Sequence, residues 1–151
     1  MRIADILAPG EVVLDLRAPD KRRLIEDLAR RAGEATGLDP AAVAEALQGR
    51  EALGSTGMGS GIAIPHARLP ALARPFGLFA RLRSALDFDA IDGEKVDLVF
   101  LLLLPAEAAG EHLNALACVA RRLRAEPVRA ALRGSPDAAR AYAALAEEAP
   151  R

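Results

Sequence analysis

The sequence predicts an α/β sandwich in which a mixed β-sheet lies between helices on both faces, and three features carry that prediction. Short strand-like apolar patterns are interspersed with helical ones along the 151 residues. One of them, Val96 to Leu104, is almost continuously apolar, as a central strand covered from both sides must be. Proline and glycine fall between elements as punctuation, and no repeat, low-complexity tract or charge block divides the chain, so residues 1–151 read as one domain.

The elements follow in order. Glu11 to Leu16 reads as the first strand, bounded by Pro9-Gly10 before it and Pro19 after it. A helix follows, with Pro19 and Asp20 suited to its first turn, Leu24, Ile25, Leu28, Ala29 and Ala32 at helical spacing, and Gly33 and Gly37 at its end. Asp39-Pro40 opens a second helix as an N-cap followed by proline at the first position, with Val43, Ala44 and Leu47 on one face and Arg50 at the C-terminal end. Gly54 to Gly61 is too glycine-rich for a helix and reads as a loop feeding a short strand, Ile62-Ala63-Ile64, closed by Pro65. His66 follows at once. In Phe76 to Arg83 the residues Leu78, Ala80 and Leu82 take one side and Arg81 and Arg83 the other, a half-buried strand. Asp92-Gly93 marks a turn, and the central strand 96–104 ends at Pro105. Helices fill the remainder at 111–124, 127–133 and 136–147, the last capped by Ser135.

Composition excludes several classes of function. Hydrophobic residues make up 52% and charged residues 27%, with a formal net charge of -1, so the chain can build a core but carries no broad basic field for nucleic acid or anionic lipid. The N-terminus meets Asp5 and then Pro9-Gly10 too early to hold a signal-peptide core, and the run 98–104 is far shorter than the roughly 20 residues of a membrane span. A lone cysteine, Cys118, allows no internal disulfide and fits a reducing compartment. A cytoplasmic protein without membrane insertion is expected. Two histidines and one cysteine, none at ligand spacing, argue against a metal site, and the glycine loop lacks both the Gly-Lys-Ser/Thr ending of a nucleotide-binding loop and the dinucleotide spacing, so no cofactor is expected.

The chemistry concentrates between Gly49 and His66. Glycines at 54, 57, 59 and 61 let the backbone bend sharply, and bare N–H groups of Gly54, Ser55, Thr56 and Gly57 are candidates to hold an anion. Pro65 rigidifies the approach of His66, and an imidazole can present an unprotonated ring nitrogen to phosphorus. Phosphoryl transfer further needs charge stabilisation over the equatorial oxygens, and Arg50 is the candidate guanidinium. His112 begins a helix just beyond the central strand, the usual functional edge of an α/β sheet, where it could orient His66 or hold its phosphate. Arg81, Arg83, Arg121, Arg122 and Arg124 read as a solvated face able to dock an acidic partner, and Cys118 as a core residue.

These segments together resemble the IIA component of the phosphoenolpyruvate-dependent phosphotransferase system, in its fructose/mannitol class and most nearly its nitrogen-regulatory branch. Arg50-Glu51, Gly54-Ser55-Thr56-Gly57 and Gly61-Ile62-Ala63-Ile64-Pro65-His66 carry the resemblance, with Asp87 to Gly93, Val96 to Phe100 and Glu111-His112-Leu113. The resemblance implies that His66 is phosphorylated, that His112 supports it and that Arg50 is the site arginine. It also implies the type 2 EIIA sandwich fold and phosphotransferase activity, with HPr or its nitrogen-branch counterpart as donor. The next partner would be a regulated target protein or a IIB acceptor. Within these residues there is no IIB, IIC or HPr-like segment, which favours a nitrogen-branch regulator over a sugar-uptake subunit. Retention of His66, Arg50 and His112 argues against a binding module that works without phosphate. Ala67-Arg68 stands where glycine and lysine are common in the family, and Ala85 where proline is frequent, so residues 67 and 68 bear on partner choice.

Overall fold

A computed structural model describes residues 1–107 and 109–147, apart from the side chains of Ala109, Glu111 and His112. The strands are β1 (Leu7–Leu16), β2 (Gly57–Gly59), β3 (Ile62–Ala63), β4 (His66–Leu69), β5 (Phe76–Leu86) and β6 (Val96–Pro105). The helices are α1 (Lys21–Thr36), α2 (Pro40–Ala52), α3 (Ala109–Arg124), α4 (Glu126–Gly134) and α5 (Ala138–Ala146). They form the expected α/β sandwich around a six-stranded mixed sheet of order β1-β5-β6-β3-β2, with β4 also on β6. β5 runs antiparallel to β6, β1 parallel to β5, and β3 and β4 parallel to β6.

β6 is the axis of the molecule. Val99, Leu101 and Leu103 enter one apolar core with Leu24, Ile25 and Leu28 of α1 and Val43 and Leu47 of α2. Leu98, Phe100, Leu102 and Leu104 enter the other, against Ala115, Val119 and Leu123 of α3 and the buried faces of α4 and α5. Side chains alternate across a strand, so a nearly unbroken apolar run is what two cores require. Among the described residues no helix is long and apolar enough to cross a membrane.

The caps of the first two helices match their sequence signals. Asp20 accepts from Arg23 N–H at 2.8 Å, Asp39 from Ala41 N–H at 3.2 Å, and Gly37 closes α1 at φ 79°. Four expectations change. β1 starts at Leu7 and runs through Pro9-Gly10, because β1 is an edge strand with a register shift between Leu7 and Val12, where proline removes no needed donor. The glycine loop contains a strand of its own: β2 and β3 form a hairpin through Ser60-Gly61, whose φ values of 59° and 79° are those of a two-residue primed turn. That turn is held from outside. Asp92 accepts from Ser60 N–H at 3.0 Å, and Arg133 of α4 reaches the Ser60 carbonyl at 2.9 Å while gripping Asp97 with two nitrogens. Pro65 is followed by a further strand, β4, which His66 opens and which was not expected. Finally, α5 is capped by Asp137, which accepts from Arg140 N–H at 2.8 Å, while Ser135 ends α4 and donates to the Ala131 carbonyl.

Because Leu101 is fully buried on the central strand, Leu101→Ala should lower unfolding stability by roughly 3 kcal/mol. Urea denaturation should show a lower midpoint with an unchanged slope.

Candidate functional site

β3 and β4 lie end to end along β6 as one strand broken at Ile64-Pro65. Proline has no N–H to continue the ladder. Its carbonyl still accepts from Leu102 N–H at 2.9 Å, while Ile64 N–H turns away to the Thr56 carbonyl at 3.1 Å. Thr56 N–H, which antiparallel pairing would offer to the Ile64 carbonyl, goes instead to Glu51, and the ring of His66 folds back onto that carbonyl, Nδ1 to O at 2.8 Å. A carbonyl oxygen only accepts, so Nδ1 carries the proton and Nε2 keeps its lone pair in the neutral ring.

The ring is half-buried and lines a cleft of about 440 Å³ between the loop 55–58 and α3. Arg50, Leu113, Leu116 and Arg124 line it as well. A neighbouring cleft of about 340 Å³ again contains Arg50 and His66 and adds Arg68, which shares His66's face of β4. The two residues expected to lead the chemistry are thus brought together. Arg50 sits in the last turn of α2, and its Nη1 donates to the Gly54 carbonyl at 2.9 Å, which fixes the guanidinium while leaving it other donors. The side chain of His112, which falls on α3, lies outside the described residues.

The expected cradle of bare amides is different in kind. Gly54 N–H donates to the Glu51 carbonyl at 3.1 Å, Thr56 N–H to the Glu51 carboxylate at 3.1 Å, and Gly57 N–H to Ser55 Oγ at 3.0 Å. Ser55 Oγ in turn donates to the Phe88 carbonyl at 2.6 Å. These three donors are spent inside the protein, and Ser55, Thr56 and Gly57 line the cleft. Gly57 is required by space: a Cβ there would lie 2.9 Å from both Cα and Cβ of Ala90.

Glu51 is the residue that sequence reasoning missed. Its side chain is 5% exposed and meets Lys21 Nζ at 2.9 Å, while its second oxygen accepts the Thr56 hydroxyl. The signal was the spacing Val43, Leu47, Glu51, which continues the buried stripe of α2. The arginines grouped as one solvated face divide. Arg81 donates to the carbonyls of Leu132 and Ser135, Arg122 to those of Ala144 and Leu145, and Arg124 lines the His66 cleft.

A family model described as "Phosphoenolpyruvate-dependent sugar phosphotransferase system, EIIA 2" matches residues 5–148. The chain belongs to this EIIA type 2 family. It is 47% identical over 146 residues to a nitrogen regulatory protein of Bradyrhizobium diazoefficiens, covering 97% of this chain and 95% of that one. It is 39% identical over 135 residues to a fructose-specific EIIA component of Haloferax volcanii, covering 85% and 86%. The crystal structure of nitrogen regulatory protein IIA-Ntr from Neisseria meningitidis superposes with a TM-score of 0.90 at 39% identity, over 95% of this chain and 98% of that one. The EIIA fold expected from the resemblance is therefore present, and phosphoryl transfer is the business of the family.

Cys118 stands apart from the EIIA cleft, packed in part against the α3–α5 core with Sγ 3.4 Å from the Met1 carbonyl. Burial pushes its thiol up from the ordinary value. Raising that value keeps the sulfur protonated, so at pH 8 iodoacetamide should alkylate Cys118 more slowly than free cysteine, and denaturation should abolish the difference.

Proposed function

We propose that this chain is a cytoplasmic phosphocarrier in which His66 accepts a phosphoryl group from HPr or a nitrogen-branch HPr-like donor, and that it serves as a regulator read through its phosphorylation state. The observation that carries the chemistry is the His66 Nδ1 donation to the Ile64 carbonyl at 2.8 Å in a cleft shared with Arg50. It leaves Nε2 as the nucleophile. The Nε2 lone pair forms a bond to phosphorus as the donor's bond to phosphorus breaks, and the departing electron pair returns to the donor. The phosphorylated ring then carries imidazolium character, which the Ile64 carbonyl dipole stabilises through the retained Nδ1–H. Arg50 neutralises the phosphoryl oxygens, and His112 supports the same group. With the amides of Gly54, Thr56 and Gly57 already donated, the charge falls to side chains, while Gly54, Ser55, Thr56 and Gly57 hold the cleft open.

The nitrogen-regulatory reading is supported by 47% identity to a nitrogen regulatory protein over nearly the full length. A second reading is a fructose/mannitol-class subunit that passes the phosphoryl group to a separate IIB protein, and similarity to a fructose-specific EIIA component favours it.

Given phosphoenolpyruvate, Enzyme I and an HPr-type donor, the protein should gain an acid-labile, alkali-stable phosphate, and His66→Ala should gain none. Arg50→Met should slow uptake about a hundredfold, the usual effect of removing one charge-stabilising donor. Failure to incorporate phosphate from competent donors would overturn the carrier reading and leave a binding module. Adding candidate IIB proteins to labelled protein separates the other two: rapid loss of label to one of them assigns sugar uptake, and retention assigns regulation.

A further inference from the structure

We propose that Glu51 is a positioning residue for His66: a buried carboxylate, paired with Lys21, that fixes the peptide segment from which the imidazole takes its orientation. In its catalytic consequence this rests on the carrier reading above. Glu51 Oε1 meets Lys21 Nζ at 2.9 Å and accepts Thr56 N–H at 3.1 Å, and Oε2 accepts the Thr56 hydroxyl. Thr56 is therefore held at two points. Its carbonyl accepts Ile64 N–H at 3.1 Å, and the Ile64 carbonyl accepts His66 Nδ1–H at 2.8 Å. Two residues thus link the carboxylate to the ring, and each link sets the direction of the next.

The arrangement suits a carboxylate and not its amide. Three donors converge on the two oxygens, Thr56 N–H, Thr56 O–H and the Lys21 ammonium, and an ionised carboxylate offers only acceptors. A glutamine of the same shape turns an NH₂ toward one of them and leaves Lys21 without its buried anion. Lys21 holds this place from the other side: its Nζ lies 4.6 Å from the Phe88 ring centroid and 3.4 Å from the Phe88 carbonyl, which also accepts Ser55 Oγ. The remaining anion near Lys21, Asp89 at 3.8 Å, is 77% exposed and cannot substitute for Glu51 in the interior. Glu51 also precedes the turn that locks Arg50. Gly54 N–H donates to the Glu51 carbonyl while the Gly54 carbonyl accepts from Arg50 Nη1. One residue therefore anchors both the nucleophile and the guanidinium beside it.

The test is ring ¹⁵N chemical shifts of His66 in the unphosphorylated protein, with phosphoryl-uptake kinetics from an HPr-type donor, for wild type, Glu51→Gln and Thr56→Val. Thr56→Val keeps the Glu51–Lys21 pair and serves if Glu51→Gln does not fold. Wild type should hold the Nδ1–H tautomer. Either variant should populate both neutral tautomers and lower kcat about tenfold with donor KM within about twofold, the signature of a misaimed group rather than lost docking. Folded variants with the wild-type tautomer and kcat would overturn the inference while leaving the carrier reading intact. A tautomer shift in a protein whose wild type takes up no phosphate would support the positioning role and overturn the carrier.

Discussion

Both faces and both edges of β6 are in use, and this constraint organises the molecule. Its side chains feed two separate apolar cores, and its backbone pairs with β5 on one edge and with β3 and β4 on the other. A strand so committed cannot shift register without moving its apolar set from one core to the other. Whatever lies beside it inherits that rigidity. Along the β3–β4 edge the neighbouring chain is broken by Pro65, and the break occurs against a strand that cannot move to close it. Just before the break, Ile64 pairs toward Thr56, whose N–H goes to Glu51, so the Ile64 carbonyl is available to the imidazole two residues on. A cleft-lining histidine set at a fixed defect in a sheet is more precisely placed than one on a free loop.

Elements encoded by neighbouring residues were legible before the structure. Asp20, Gly37, Asp39 and Pro40 mark the ends of α1 and α2 through interactions spanning no more than four positions. β2 and β4 were not: β4 exists only through its pairing with β6, distant in sequence, and Gly57–Gly59 has no apolar alternation to announce a strand. The site divides on the same line. His66 and Arg50 stand out by residue type and by their flanking glycines and proline. Glu51 does not, since a charged residue at a helix end reads as solvated until Lys21 and Thr56 arrive from elsewhere to bury it. The partners of the Gly54, Thr56 and Gly57 amides were hidden for a related reason: glycine permits amides to face a ligand, but which group claims them is a matter of tertiary structure.

That reassignment changes how the cleft can handle negative charge. In a glycine-rich anion loop the backbone N–H groups supply fixed partial charges that no mutation of a side chain removes. Here the N–H groups of Gly54, Thr56 and Gly57 are donated to Glu51 and Ser55, while cationic side chains line the cleft. Guanidiniums take two kinds of place in this chain. Those of Arg81, Arg122 and Arg133 are tied to carbonyls or to Asp97 and act as struts. Arg50 and Arg124 instead face the cleft with His66, and Arg50 is steadied there by the Gly54 carbonyl. A guanidinium pays little orientational entropy when one of its donors is already fixed and the others point into the site. The loop aims an arginine at the cleft through the Gly54 carbonyl, and the buried carboxylate that shapes the loop uses its own oxygens on Lys21 and Thr56. On the carrier reading proposed above, the site would receive a second negative charge close to this one without setting the two against each other.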